Sequence, residues 1–185
     1  MHGQHNPNAG NPKGSFEDVN WITITSKFRQ EVKKGLPRMA VANKYVPRIK
    51  EIVANRSQEP LWGFKSALTH HMLDVILPLV PNPHLVYVFR NLLHNAQSYV
   101  VHQKDNYGRK ISLEEAFATV NESNTTLVNT ISVRAPKLFT SYEDIKKQPA
   151  DEAKKMAQFL GVKFTPKIAD EIREFIMPGY STLKK

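Results

Sequence analysis

Apolar residues recur at two different spacings along this chain. Phe16, Val19, Ile22, Phe28 and Val32 follow a helical period, with Ser15 and Asp18 as a start signal and Gly35 as a stop. A second helix is predicted from about Arg38 to Asn55, with Ala42, Val46, Ile49 and Val53 on one face. Pro47 lies inside it and should kink or restart it, because proline lacks the N–H that a helix interior needs. Three short runs read instead as strands: Leu61–Lys65, His84–Arg90 and Lys137–Tyr142. Each follows a proline or a proline turn and is rich in aromatic or β-branched residues.

A helical pattern follows every one of these runs. Leu68, Met72, Val75, Ile76 and Leu79 follow the first, and Leu93, Ala96 and Val100 the second. Ala153, Met156, Ala157 and Leu160, closed by Gly161, follow the third. The longest helix is expected between the second and third runs, opened by a Ser112–Glu115 capping box. A last helix starts at Thr165-Pro166. Alternation of this kind predicts an α/β domain, a parallel sheet of about three strands flanked by helices. Met1–Ser15 shows no period and is expected to be a flexible segment ahead of a domain over 16–185.

Composition narrows the function. With 41% apolar and 23% charged residues the chain suits a globular domain. It has no cysteine, which excludes disulfides, thiolate metal sites and a cysteine nucleophile, and fits a reducing compartment; a cytoplasmic location is expected. No apolar run approaches the roughly 20 residues of a membrane span. Lys and Arg number 26 against 17 Asp and Glu, a net charge of +9, which favours an anionic partner. The excess is concentrated between Lys27 and Lys50, where Glu31 is the one acid. That stretch is either a solvated helical face or a basic wall beside an anion site.

In an open parallel sheet, ligands bind beyond the carboxyl ends of the strands. Lys65, Arg90 and Tyr142 occupy those ends. Two cations at strand ends make a candidate anion site, although strand ends are often polar without any ligand.

Four segments together resemble the sulfotransferases that use 3′-phosphoadenosine 5′-phosphosulfate (PAPS), a family with the P-loop fold. Asn11–Asp18 is similar to the family's N-P-x-G-Y-F-E segment, and Leu61–Lys65 to its lysine-ended strand. Leu79–Asn91, continuing to Ser98, resembles its 3′-phosphate-binding segment. Ser141–Ile145 with Phe159–Gly161 resembles its Y-E-D-L … F-L-G ending. The resemblance implies that Arg90 and Ser98 hold the 3′-phosphate, that Tyr142 lies near the adenine, and that Lys65 faces the sulfonate. A surface ion pair for Arg90, a helix-face role for Ser98 and a sheet-edge role for Tyr142 are the alternatives.

Departures from the family pattern are as informative. Ala67 stands where cytosolic members carry a catalytic histidine, leaving His70, paired with Asp74 at i,i+4, or Glu17 as the candidate base. Leu92-Leu93 replaces the usual turn after Arg-Asn, which should shift the start of the next helix. Glu143 and Asp144 read as caps of the turn that follows. Nothing ahead of Asn11 resembles the P-R-S-G-T-S loop that cradles the 5′-phosphosulfate. The resemblance therefore implies a sulfotransferase fold lacking its N-terminal strand and P-loop, and leaves the activity of the chain by itself open.

The expected function is transfer of a sulfonate from PAPS to a hydroxyl or amine of a sugar, phenol or amine acceptor, with no metal, no nucleic acid and no membrane span. Two other readings stand beside it. One is a non-catalytic relative that binds a nucleotide or a sulfated ligand. The other is a basic nucleic-acid-binding domain, for which no helix-turn-helix, zinc or RNP motif is present.

Overall fold

The computed structural model describes residues 18–176. Ser15, Phe16, Glu17 and the N-terminal segment expected to be flexible lie outside them. Two compact units emerge. Among the described residues one comprises Asp18–Pro83 together with Ser123–Val133, the other His84–Glu122 together with Arg134–Ile176.

The first unit is built on a helical hairpin, α1 (Val19–Lys33) and α2 (Arg38–Arg56). Asp18 caps α1, its carboxylate accepting from the backbone N–H of Asn20 at 2.9 Å. The same side chain accepts from Arg56 at 2.6 Å, which ties the first turn of α1 to the last of α2. Trp21, Ile24 and Phe28 of α1 pack with Val41, Tyr45 and Ile49 of α2, and Met72 and Ile76 complete this core. Thr25 is buried among them, yet its hydroxyl donates to the Trp21 carbonyl at 2.7 Å, so a β-branched polar residue is accommodated inside the helix.

Gly35 makes the hairpin turn with φ of +87°. An L-residue at positive φ meets its own backbone, at a cost of about 1–2 kcal/mol. No atom lies within 4 Å of where a Cβ would sit, so backbone strain is the whole effect. Gly35→Ala is expected to lower stability by about that 1–2 kcal/mol, read as a lower urea midpoint with an unchanged slope.

Pro47 does not restart α2, which continues for 19 residues. The packing of Tyr45, Ile49, Ile52 and Val53 outweighs one lost backbone bond. This makes α2 longer than α5 (Leu113–Asn129, 17 residues), the helix expected to be longest.

Leu61–Lys65 is not a strand. Its residues alternate between exposed and half-buried, as an extended chain should, and Trp62 and Phe64 turn to the core side. Phe64 stacks on Trp21 at 4.1 Å. Ring packing, rather than a hydrogen-bonded ladder, holds the segment extended. The pattern over Leu68–Leu79 is helical in a broken way: 3₁₀ turns at Thr69–Met72 and Leu77–Leu79 flank a single α turn, α3 (Leu73–Ile76). Pro78 offers no N–H to continue that turn.

The second unit carries the sheet. β1 (Leu85–Phe89) leads into α4 (Leu92–Tyr107) and the first part of α5. β2 (Lys137–Ser141) follows, then α6 (Tyr142–Lys147), α7 (Pro149–Phe159) and α8 (Pro166–Phe175). β1 and β2 pair in parallel, Leu85 opposite Lys137 and Phe89 opposite Ser141. The α/β class with a small parallel sheet flanked by helices is thus as expected, but among the described residues the sheet has two strands rather than three. Tyr87, Phe89 and Phe139 line one face, with the Tyr87 and Phe139 rings 5.3 Å apart. On the other face the buried Thr140 donates to Glu152 of α7 at 2.7 Å. Glu152 also pairs with Lys155, and these two partners hold its carboxyl below the usual carboxylate range.

The predicted caps are present. Ser112 and Glu115 exchange reciprocal hydrogen bonds of 3.0 and 3.1 Å, and the Thr165 hydroxyl accepts from Ile168 N–H ahead of Pro166.

Candidate functional site

The C-terminal ends of β1 and β2 lie side by side, and the residues that follow them meet. Arg90 stands one residue beyond β1, and Tyr142 opens α6 immediately after β2. The Arg90 guanidinium lies over the Tyr142 ring, 4.6 Å from its centroid. Lys146 approaches the same ring at 5.8 Å. Stacking fixes the plane of the guanidinium and leaves its edge for hydrogen bonding.

That edge is unsatisfied. Arg90 Nε is buried and has no hydrogen-bond partner. A buried donor left in this state costs on the order of 1–3 kcal/mol, more when charged, so an orphaned one calls for an explanation.

Asn91 organises the neighbouring helix end. Its side chain accepts from His94 N–H at 3.1 Å and so caps α4, which begins at Leu92 despite the Leu92-Leu93 departure. Its own N–H donates to Glu143 Oε1 at 3.1 Å, and His94 Nδ1 stands 4.0 Å from the same carboxylate. The remaining N–H groups of the first turn of α4 favour negative charge. Ser98, half-buried, lies one turn beyond His94 on the same side of α4.

Two of the three residues assigned to the nucleotide are therefore in contact, Arg90 and Tyr142, and the third is on the helix between the strands. Asn91, His94 and Glu143 were not singled out as a group. An Asn directly before an apolar helical stripe is a cap signal that marks Asn91. Nothing in the sequence marks the reach of Glu143 back to Asn91. Ser141, rather than Asp144, caps α6: its hydroxyl accepts from the Asp144 N–H at 2.9 Å and donates to Asp144 Oδ2 at 2.6 Å.

The residues assigned to chemistry belong to the first unit. Lys65 is exposed at the end of the extended segment. Glu17 lies outside the described residues. The His70–Asp74 pair does not form. Asp74 is held by Arg38 through contacts of 2.8 and 2.5 Å, and His70 turns inward, its Nε2 3.5 Å from the Ser123 hydroxyl. Burial, then the nearby Arg29 charge, lowers the His70 pKa, so the ring is neutral at pH 7.

Comparison with known proteins agrees with this picture. Residues 19–177 match the family model described as a sulfotransferase domain. Among solved structures the fold is similar to the sulfotransferase domain from the curacin biosynthetic pathway, with a TM-score of 0.55 and 21% identity. The alignment covers 80% of this chain and 57% of that domain, so the chain spans a little over half of its length. No curated protein matches the sequence.

Proposed function

Because the chain belongs to the sulfotransferase domain family, we propose that it takes part in sulfonate transfer from PAPS and that its Arg90–Tyr142 corner holds the 3′-phosphate end of that donor. The observation that carries the reading is the buried, unpartnered Arg90 Nε under the Tyr142 ring. A phosphate there receives the planar fork of Arg90 and backbone donors from the first turn of α4. Ser98 adds a hydroxyl, and Tyr142 offers the part of its ring not covered by Arg90 to the adenine.

In the reaction the bond from sulfur to the 5′-phosphate oxygen breaks as a bond to an acceptor hydroxyl or amine forms. The acceptor proton passes to a base, and the departing phosphate gains charge. Lys65 is proposed to meet that charge, and His70 or Glu17 to take the proton. Among the described residues no helix is long and apolar enough to cross a membrane, and no group of acids and histidines is placed to hold a metal.

Calorimetric titration with adenosine 3′,5′-bisphosphate and with adenosine 5′-monophosphate tests the assignment. The bisphosphate is expected to bind at least about tenfold more tightly, the equivalent of one charge-assisted hydrogen bond. Equal affinities would remove the 3′-phosphate reading.

A further inference from the structure

We propose that the first unit carries a separate oxyanion site, in which Arg29 and Lys33 of α1 and His71 of the adjoining 3₁₀ turn bind a sulfate- or phosphate-ester group. Arg29 and Lys33 are one helical turn apart and share the side of α1 next to its buried stripe. Arg29 Nε is buried without a hydrogen-bond partner. It is the same signature as that of Arg90, in the other unit and on unrelated elements.

The charges around it do not balance. Arg29, Lys33 and Arg38 are three cations whose charges all act on His71, and Asp74 lies beside Arg38. Asp74 is committed to Arg38 in a two-point pair. Arg38 is occupied further, donating to the His71 carbonyl at 3.2 Å and lying 5.5 Å from the Phe28 ring centre. Among the described residues no carboxylate stands at ion-pair distance from Arg29 or Lys33.

His70 and His71 sit within this field with their rings 4.1 Å apart. Burial, then His70, Arg29, Lys33 and Arg38, push the His71 pKa down to about 4. His70 is engaged by Ser123 and the Ala67 backbone. His71 is thus a neutral imidazole with an N–H to give, beside two unmatched cations. A tetrahedral oxyanion presents oxygens that match the planar fork of Arg29 and can accept from His71 as well; chloride, a single spherical acceptor, lacks that match.

The site does not depend on the nucleotide reading. It suits a ligand that already bears an acidic ester, such as a sulfated or phosphorylated sugar. It also couples binding to protonation. An anion beside His71 offsets the repulsion that keeps the ring neutral, so it raises the His71 pKa. By reciprocity, affinity for the anion rises as the pH falls.

The test follows the histidine ring protons of the full chain by NMR against pH. Titrations are run in sodium chloride, in sodium sulfate and in sodium phosphate at equal ionic strength. The His71 midpoint is expected to rise by about one unit in sulfate or phosphate relative to chloride, a tenfold change in proton affinity. The rise is expected to vanish in Arg29→Gln and to shrink in Lys33→Gln. It should persist in Lys167→Gln, a charge removed from the exposed face of α8. Lys33 is exposed, so its variant gives the same reading if Arg29→Gln disturbs the fold. A rise in one of the two oxyanion salts names the preferred ester. Identical midpoints in all three salts, or a rise that survives in both α1 variants, would overturn the site.

Discussion

Arg90→Ala is expected to weaken binding of adenosine 3′,5′-bisphosphate by about 30- to 100-fold and to leave adenosine 5′-monophosphate binding nearly unchanged. The magnitude follows from what the guanidinium offers. A hydrogen bond to a charged group contributes about 1.5–3 kcal/mol, and a two-point pair to phosphate lies in the upper part of that range. Each 1.4 kcal/mol is about a factor of ten in affinity. The free protein should not suffer. Arg90 makes a ring contact with Tyr142, and its buried Nε is unsatisfied. Removing it takes away an unpaired donor, so the melting temperature should hold or rise slightly. That combination separates a ligand-binding arginine from a structural one. A structural role would lower stability and affect both nucleotides alike. Arg90→Lys is expected to recover little of the loss, because lysine gives a point charge without the planar fork.

Trp21→Ala is expected to cost about 3–5 kcal/mol, a large part of the 5–15 kcal/mol typical of a whole domain. Trp21 is 0% exposed and stacks on Phe64, and through it on the extended Trp62–Phe64 segment. Its loss opens a cavity between α1 and α2 and removes the surface that holds the segment leading to Lys65. Trp21→Phe should lose much less. It keeps a ring against Phe64 and deletes an indole N–H that is buried without an acceptor. Guanidinium unfolding followed by circular dichroism measures both. Similar losses for the two variants would show that the indole itself, not ring packing, is what the core requires.

Most of the fold was legible where a local signal and tertiary packing agree. The capped helices that open after Ser112 and Thr165 are such places, because the capping residues and the apolar stripe give the same answer. The strands β1 and β2 were legible from aromatic and β-branched runs after prolines. Leu61–Lys65 has the same local signature and the correct alternation of faces. Alternation specifies an extended chain, not the neighbour it pairs with, and here the neighbours are rings. At Pro47 the helix continues instead of restarting, since one missing N–H is outweighed by buried side chains on both sides of it.

The site was legible in its ends and not in its connections. Arg90 and Tyr142 stand at corresponding positions after parallel strands, so topology alone brings them together. His70 and Asp74 have the spacing of a helical pair, but their segment is partly 3₁₀. The change of period turns His70 inward and leaves Asp74 to Arg38. Arg29 and Lys33 lay inside the basic stretch already noted as a possible wall beside an anion site. Which of its cations lack a carboxylate depends on how α1, α2 and the histidine turn pack, and that cannot be read from spacing.

The two-stranded sheet has a consequence for the protein in concentrated solution. Parallel strands are ordinarily covered on both faces and flanked by further strands. Here each strand has an outer edge without a neighbour among the described residues. Val86, Val88 and Phe139 are 38%, 47% and 49% exposed along it. A row of unpaired N–H and C=O groups beside uncharged, apolar side chains is a template on which another extended chain can add. Self-association of this chain should therefore begin at β1 and β2. A lysine at Val86 or Val88 would oppose it by placing charge along that template, without altering either candidate anion site.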